Sequence, residues 1–201
     1  MIASITQFWY LWLVLVVLVV ALVLVMRKAS AAMKKRSERI EKEREFAERF
    51  KYLVNKYSSL DSALIESSEP SELAEGVTAV LQYKLEKSVN PDEEYKNAEQ
   101  WKREVYALYY FSEDCQQSLS YFFRNNGEPL PSVVLEGLKS IGYDKIYSTV
   151  AQMYSMYDEN NENVSLDKNR AEELDVKFRN SYDSKMFFEL IKNYIVENCK
   201  Q

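Results

Sequence analysis

Residues 8–26, FWYLWLVLVVLVVALVLVM, are nineteen consecutive apolar positions without a charge, and no other stretch of the chain constrains its fold as strongly. As a helix this run rises about 28 Å, close to the roughly 30 Å hydrocarbon core of a bilayer. Inside that core only a helix satisfies its own backbone among open-chain structures. Phe8, Trp9, Tyr10 and Trp12 gather at one end of the run, where half-wet rings form an interfacial belt. The expectation is a single-pass transmembrane anchor over residues 1–28. No Lys or Arg precedes the run, whereas Arg27, Lys28, Lys34, Lys35 and Arg36 follow it with no acidic residue among them. Positive charge stays cytoplasmic, so this reading places the N-terminus outside and the C-terminal domain in the cytoplasm, at an inner or plasma membrane. A cleavable signal peptide carries its positive charge ahead of a shorter apolar region, which this chain does not show. The same five basic residues are candidates for anionic lipid headgroups, at about 1 kcal/mol for each charge near the surface.

Residues 29–58 are dense in Ala, Lys, Arg and Glu and hold neither Gly nor Pro, the composition of a basic helical stalk. Met33, Ile40, Ala47 and Val54 repeat every seven residues, with Phe50 and Tyr57 at the companion position, but Arg36 and Glu43 interrupt the seam. Only the distal half keeps the heptad rule. The expectation is a solvated stalk whose end, Phe46, Phe50, Leu53, Val54 and Tyr57, packs on the domain that follows.

Beyond the stalk, residues 59–201 are expected to form one compact cytoplasmic domain. The whole chain has only four Gly and four Pro, and its apolar residues recur at three- and four-residue spacing. This pattern predicts an all-α protein: an N-terminal transmembrane helix, a helical stalk and a multi-helix domain. Pro70 and Pro91 open helices, Asn125-Asn126-Gly127 marks a turn, and Gly142 supplies a left-handed cap. Trp101, Val105, Leu108, Tyr109 and Phe111 read as core on the helix from Pro91, and Ser112 reads as the cap of a fresh helix running through Phe123. Asp144 starts another helix, and two more follow at about 166–180 and 184–198.

The residue inventory narrows the chemistry. The chain has no His, which excludes Ser-His and Cys-His catalytic pairs, His-ligated metals and a His pH switch. Cys115 and Cys199 stand alone and read as reduced thiols. Asp158, Asn160 and Glu162 alternate as in a calcium loop, but Asn163 occupies the position of the required Gly and Asn169 that of the bidentate Glu. The segment reads as an acidic solvated loop. No glycine-rich phosphate loop is present, so neither metal, cofactor nor catalytic residue is expected, and the chain reads as a non-enzyme.

Charge is divided unevenly: residues 27–60 carry net +6 and residues 61–201 net −11. An acidic domain repels nucleic-acid phosphates and attracts a basic partner. Fifteen Tyr and nine Phe are concentrated at 106–111, 121–123 and 143–157; most such rings belong in a core, and the remainder lie beside carboxylates at the surface. The candidate binding residues are Glu113, Asp114, Asp158, Glu159, Glu162, Glu172 and Glu173. The reading that follows is a membrane-tethered, non-catalytic module that takes a cytoplasmic or membrane protein partner on an acidic, Tyr-rich helical surface. The alternative is a structural subunit of a membrane assembly, or a defence or immunity component.

The order of features carries a resemblance. The run Ser118-Leu119-Ser120-Tyr121-Phe122-Phe123-Arg124-Asn125-Asn126-Gly127, then Val134-Leu135-Glu136-Gly137-Leu138-Lys139-Ser140-Ile141-Gly142, then Ala151 and the Tyr194-Ile195 pair, resembles the bacterial DNA-mimic-protein-like domain of unknown function over roughly residues 95–198. The chain departs from that family's common Gly pair before the aromatic helix, where it has Cys115-Gln116-Gln117-Ser118. The resemblance implies an all-helical fold and an acidic surface that imitates DNA toward a DNA-binding protein.

Overall fold

The computed structural model describes residues 9–156 and 167–199 and, in the first part of the first helix, the side chains at 14–18, 26, 33, 34 and from 36 onward. Every described element is an α-helix: α1 (Trp9–Tyr57), α2 (Ser62–Ser67), α3 (Pro70–Lys87), α4 (Pro91–Asn97), α5 (Gln100–Cys115), α6 (Leu119–Asn125), α7 (Leu130–Ser140), α8 (Asp144–Tyr154), α9 (Lys168–Ser181) and α10 (Ser184–Cys199). The chain divides into two compact units, one up to Phe50 and one from Lys51 onward.

With neither Gly nor Pro to interrupt it, α1 is one continuous helix. It corrects the expected anchor. Among the described residues no helix is long and apolar enough to cross a membrane. The side chains described in its first half, those at 14–18, Met26 and Met33, are exposed. From Lys34 onward the rod is charged: Lys34 lies 4.0 Å from Glu38, and Arg44 reaches Glu41 at 3.3 Å and Glu48 at 3.4 Å. The transmembrane segment over 1–28, the single-pass membrane location and the orientation inferred from it are therefore withdrawn; residues 1–8 lie outside the described residues. Phe46, expected against the following domain, is 73% exposed and stacks on Phe50 at 6.5 Å, while Leu53 and Tyr57 are buried.

In the second unit α5 is the axis. Val105, Ala107, Leu108 and Phe111 recur on its inner side and are fully buried, and the helix packs against α3, α6, α7 and α10. Phe111 is the meeting point: its ring lies 5.2 Å from Phe122 of α6, 5.7 Å from Phe178 of α9 and 6.3 Å from Phe187 of α10. The single helix expected from Pro91 through Phe111 is broken at Ala98-Glu99, where both residues turn extended. Ser112 is not a cap. It is buried in the last turn of α5 with its Oγ 2.9 Å from Tyr182 Oη, and the cap of α6 is Ser118, whose Oγ accepts from Tyr121 N at 3.0 Å. Asp175 of α9 adds a second cap, accepting from Ser120 N at 2.7 Å and Ser120 Oγ at 2.6 Å. Gly142 ends α7 with φ 68°, the left-handed conformation expected of it.

Candidate interaction face

Glu75, Gln82 and Glu86 stand at i, i+7 and i+11 on α3, so they share one face of the helix; Tyr106, Tyr110 and Glu113 at i, i+4 and i+7 share one face of α5. Packing of α3 on α5 brings the two stripes together. The Tyr106 hydroxyl donates to Gln82 Oε1 at 2.7 Å, and Gln82 Nε2 donates to Glu86 Oε1 at 2.9 Å, a relay from phenol to carboxylate that joins the helices. The Tyr106 ring lies 4.8 Å from Tyr110 and 5.7 Å from Tyr95 of α4, and Tyr109 lies 5.9 Å from Tyr110. All four rings are partly exposed, so the ladder is a surface feature with buried edges.

The titration shifts expose the field on this face. Burial raises the Tyr106 and Tyr110 phenols, and the Glu86 charge adds to both. Asp114 adds further to Tyr110. The Glu113 carboxyl is held above its ordinary value first by burial and then by the like charges of Glu75 and Asp114, against the hydrogen bond that Gln116 Nε2 donates to it at 3.1 Å. Glu86 and Asp114 thus act on the tyrosine ladder, and Glu75 and Asp114 act on Glu113 beside it.

A buried carboxylate lies behind the ladder. Glu104 is 1% exposed; Gln100 Nε2 donates to its Oε1 at 2.8 Å and Tyr194 Oη to its Oε2 at 2.5 Å. Burial, then Glu104, pushes the Tyr194 phenol up to about 12. Burial likewise pushes Tyr95 up to about 12. These groups hold α10 and α4 in place beside α5.

Of the residues singled out from the sequence, Glu113 and Asp114 belong to this face, Glu113 exposed and Asp114 half-buried and accepting from Asn126 Nδ2 at 2.6 Å. Glu172 and Glu173 are exposed on α9, which packs on α6 and α8, and there they line a shallow concavity with Asn169 and Val176. They form a separate patch. Asp158, Glu159 and Glu162, together with the calcium-like loop, lie outside the described residues. Of the lipid candidates, Lys34 pairs with Glu38 and Arg36 is exposed, while the side chains of Arg27, Lys28 and Lys35 lie outside the described ones. Sequence reasoning missed Glu75 and Glu86. Their seven- and four-residue spacing about Gln82 was the available signal, but it names a helix face without naming what that face meets. Among the described residues no group of three or more Cys, Asp or Glu is placed to hold a metal ion.

The sequence model of one family, described as DMP19-like protein, matches residues 96–198, which run from the end of α4 through α10. No curated protein and no solved structure matches the chain.

Proposed function

This chain belongs to the DMP19-like protein family, and on that footing we propose that it is a non-catalytic binding module whose α3–α5 face takes a basic, DNA-binding protein in the place DNA would occupy. The observation that carries the proposal is the shared α3–α5 face, where Glu86 and Asp114 act on the tyrosine ladder and where burial first, then the like charges of Glu75 and Asp114, raise the Glu113 carboxyl. Like charges held together cost stability in the free protein, and a partner's Lys and Arg relieve that cost on binding. The tyrosines suit the role because an aromatic face accepts a guanidinium or ammonium while its hydroxyl stays hydrated.

The test is displacement. The full chain is added to basic DNA-binding proteins held on fluorescently labelled duplex DNA at low salt, and release of the duplex is followed by anisotropy. The expected result is release by the native chain and its loss on Glu86→Lys with Glu113→Lys, both exposed positions that tolerate the change. Absence of release from every such protein, or release unaffected by the charge reversals, overturns the proposal.

A further inference from the structure

α1 carries a basic stripe with almost no acid of its own. Arg27 with Lys34 and Lys28 with Lys35 stand seven positions apart, in two adjacent rows along the helix, and Arg36 lies beside the second row. Ion pairs along a helix form three or four positions apart, and Glu38 is the only acidic residue within four positions of any of the five. The pair it makes with Lys34 is open, at 4.0 Å with the lysine side chain 80% exposed. Every described side chain from Met33 to Arg49 is exposed.

The α3–α5 face has the opposite imbalance. Glu86, Glu113 and Asp114 are held by the neutral amides of Gln82, Gln116 and Asn126, and among the described residues none of the three carboxylates forms an ion pair. A second copy of the chain brings the missing charge to both surfaces. We propose that the basic stripe of α1 docks on the α3–α5 acidic face of a second copy, so that self-association masks the surface that takes the partner. The occupant is a second copy because α1 is helical without a break from Trp9 to Tyr57. The stripe ends about 30 Å of helical rise before Tyr57 and has no hinge by which to fold back. Reciprocal exchange closes two copies into a dimer and matches both stripes at once. The masking rests on the partner reading proposed above; the docking rests on the charges alone.

Sedimentation equilibrium of the full chain tests the docking without any DNA-binding protein. The native chain self-associates at about 50 mM salt and dissociates at about 500 mM. Lys34→Glu with Arg36→Glu, and separately Glu86→Lys with Glu113→Lys, each weaken association roughly tenfold. All four changes in one chain exchange the signs and recover part of that loss. Glu172→Lys with Glu173→Lys, the same change of charge on the separate α9 patch, leaves association unaltered. All six positions are exposed, and an unchanged melting temperature verifies that the variants fold. In the displacement assay the chain with Lys34→Glu and Arg36→Glu, its acidic face unmasked, releases duplex at a lower concentration than the native chain. A native chain that stays monomeric at low salt overturns the proposal. So does association indifferent to salt and to both reversals, which assigns it to the exposed apolar residues of α1 instead. Self-association with the expected charge pattern but no release of duplex upholds the docking and overturns only the partner reading.

Discussion

The Tyr95 hydroxyl is buried without a hydrogen-bond partner among the described residues, although its ring packs edge-on against Tyr106. A buried, unsatisfied polar atom costs stability, so Tyr95→Phe is expected to leave the protein as stable at pH 7 or more stable by up to about 1 kcal/mol. The pH dependence has a defined sign. The phenol is raised from 10 to about 12, so below pH 10 it is neutral in both folded and unfolded chains. Between pH 10 and 12 the unfolded chain loses this proton while the folded chain keeps it, and stability falls. The Phe variant escapes that loss, and its advantage in urea midpoint should therefore widen from pH 8 to pH 11. An advantage that narrows would show that the folded state favours the phenolate and that burial does not raise this group. The buried edge of Tyr95 was not legible from sequence, because Pro91, Asp92, Glu93 and Glu94 mark only where α4 begins.

At the scale of elements, α1 ends in a lock. Tyr57 is 1% exposed and its ring lies so close to α3 that a Cβ on Gly76 would stand 2.0 Å from Tyr57 Cδ2. The Tyr57 hydroxyl donates to Ser68 Oγ at 3.0 Å, Ser68 Oγ to Leu64 O at 2.7 Å, and Lys192 Nζ of α10 to Ser68 O at 2.7 Å. One short helix thus receives the end of α1 on one side and α10 on the other. Gly76→Ala is expected to cost about 1–3 kcal/mol by overpacking, read as a lower denaturant midpoint, and Tyr57→Leu in the same chain should recover part of it. Additive losses would show that the two residues do not meet. Element boundaries were legible wherever one residue sets them, at Pro70, Pro91, Gly142 and Asp144. They were misread where a distant partner sets them. Ser112 has the chemistry of a cap, but Tyr182 engages its hydroxyl inside α5, and Asp175 joins Ser118 in capping the helix that follows.

For the whole molecule, net −11 over residues 61–201 implies attraction to a basic partner that weakens with salt. The association rate with a displaced DNA-binding protein should fall severalfold between about 50 and 200 mM salt, measured by stopped flow. Glu86→Lys with Glu113→Lys should slow it more than Glu172→Lys with Glu173→Lys, because the second pair sits on α9 in a separate patch. Equal effects would assign the steering to net charge alone. By itself the sequence determined the helical class, most breaks between helices, the sign of the charge and the absence of His chemistry, because apolar spacing, Pro, Gly and residue inventory act locally or by count. It also showed an apolar run at 8–26, but the inference of a membrane span does not stand, since among the described residues no helix meets the required length and apolarity. Only the tertiary structure decided which carboxylates share a surface. Helical periodicity places Glu75 with Glu86 and Tyr106 with Glu113, but the two pairs become one acidic, tyrosine-lined face only when α3 packs on α5.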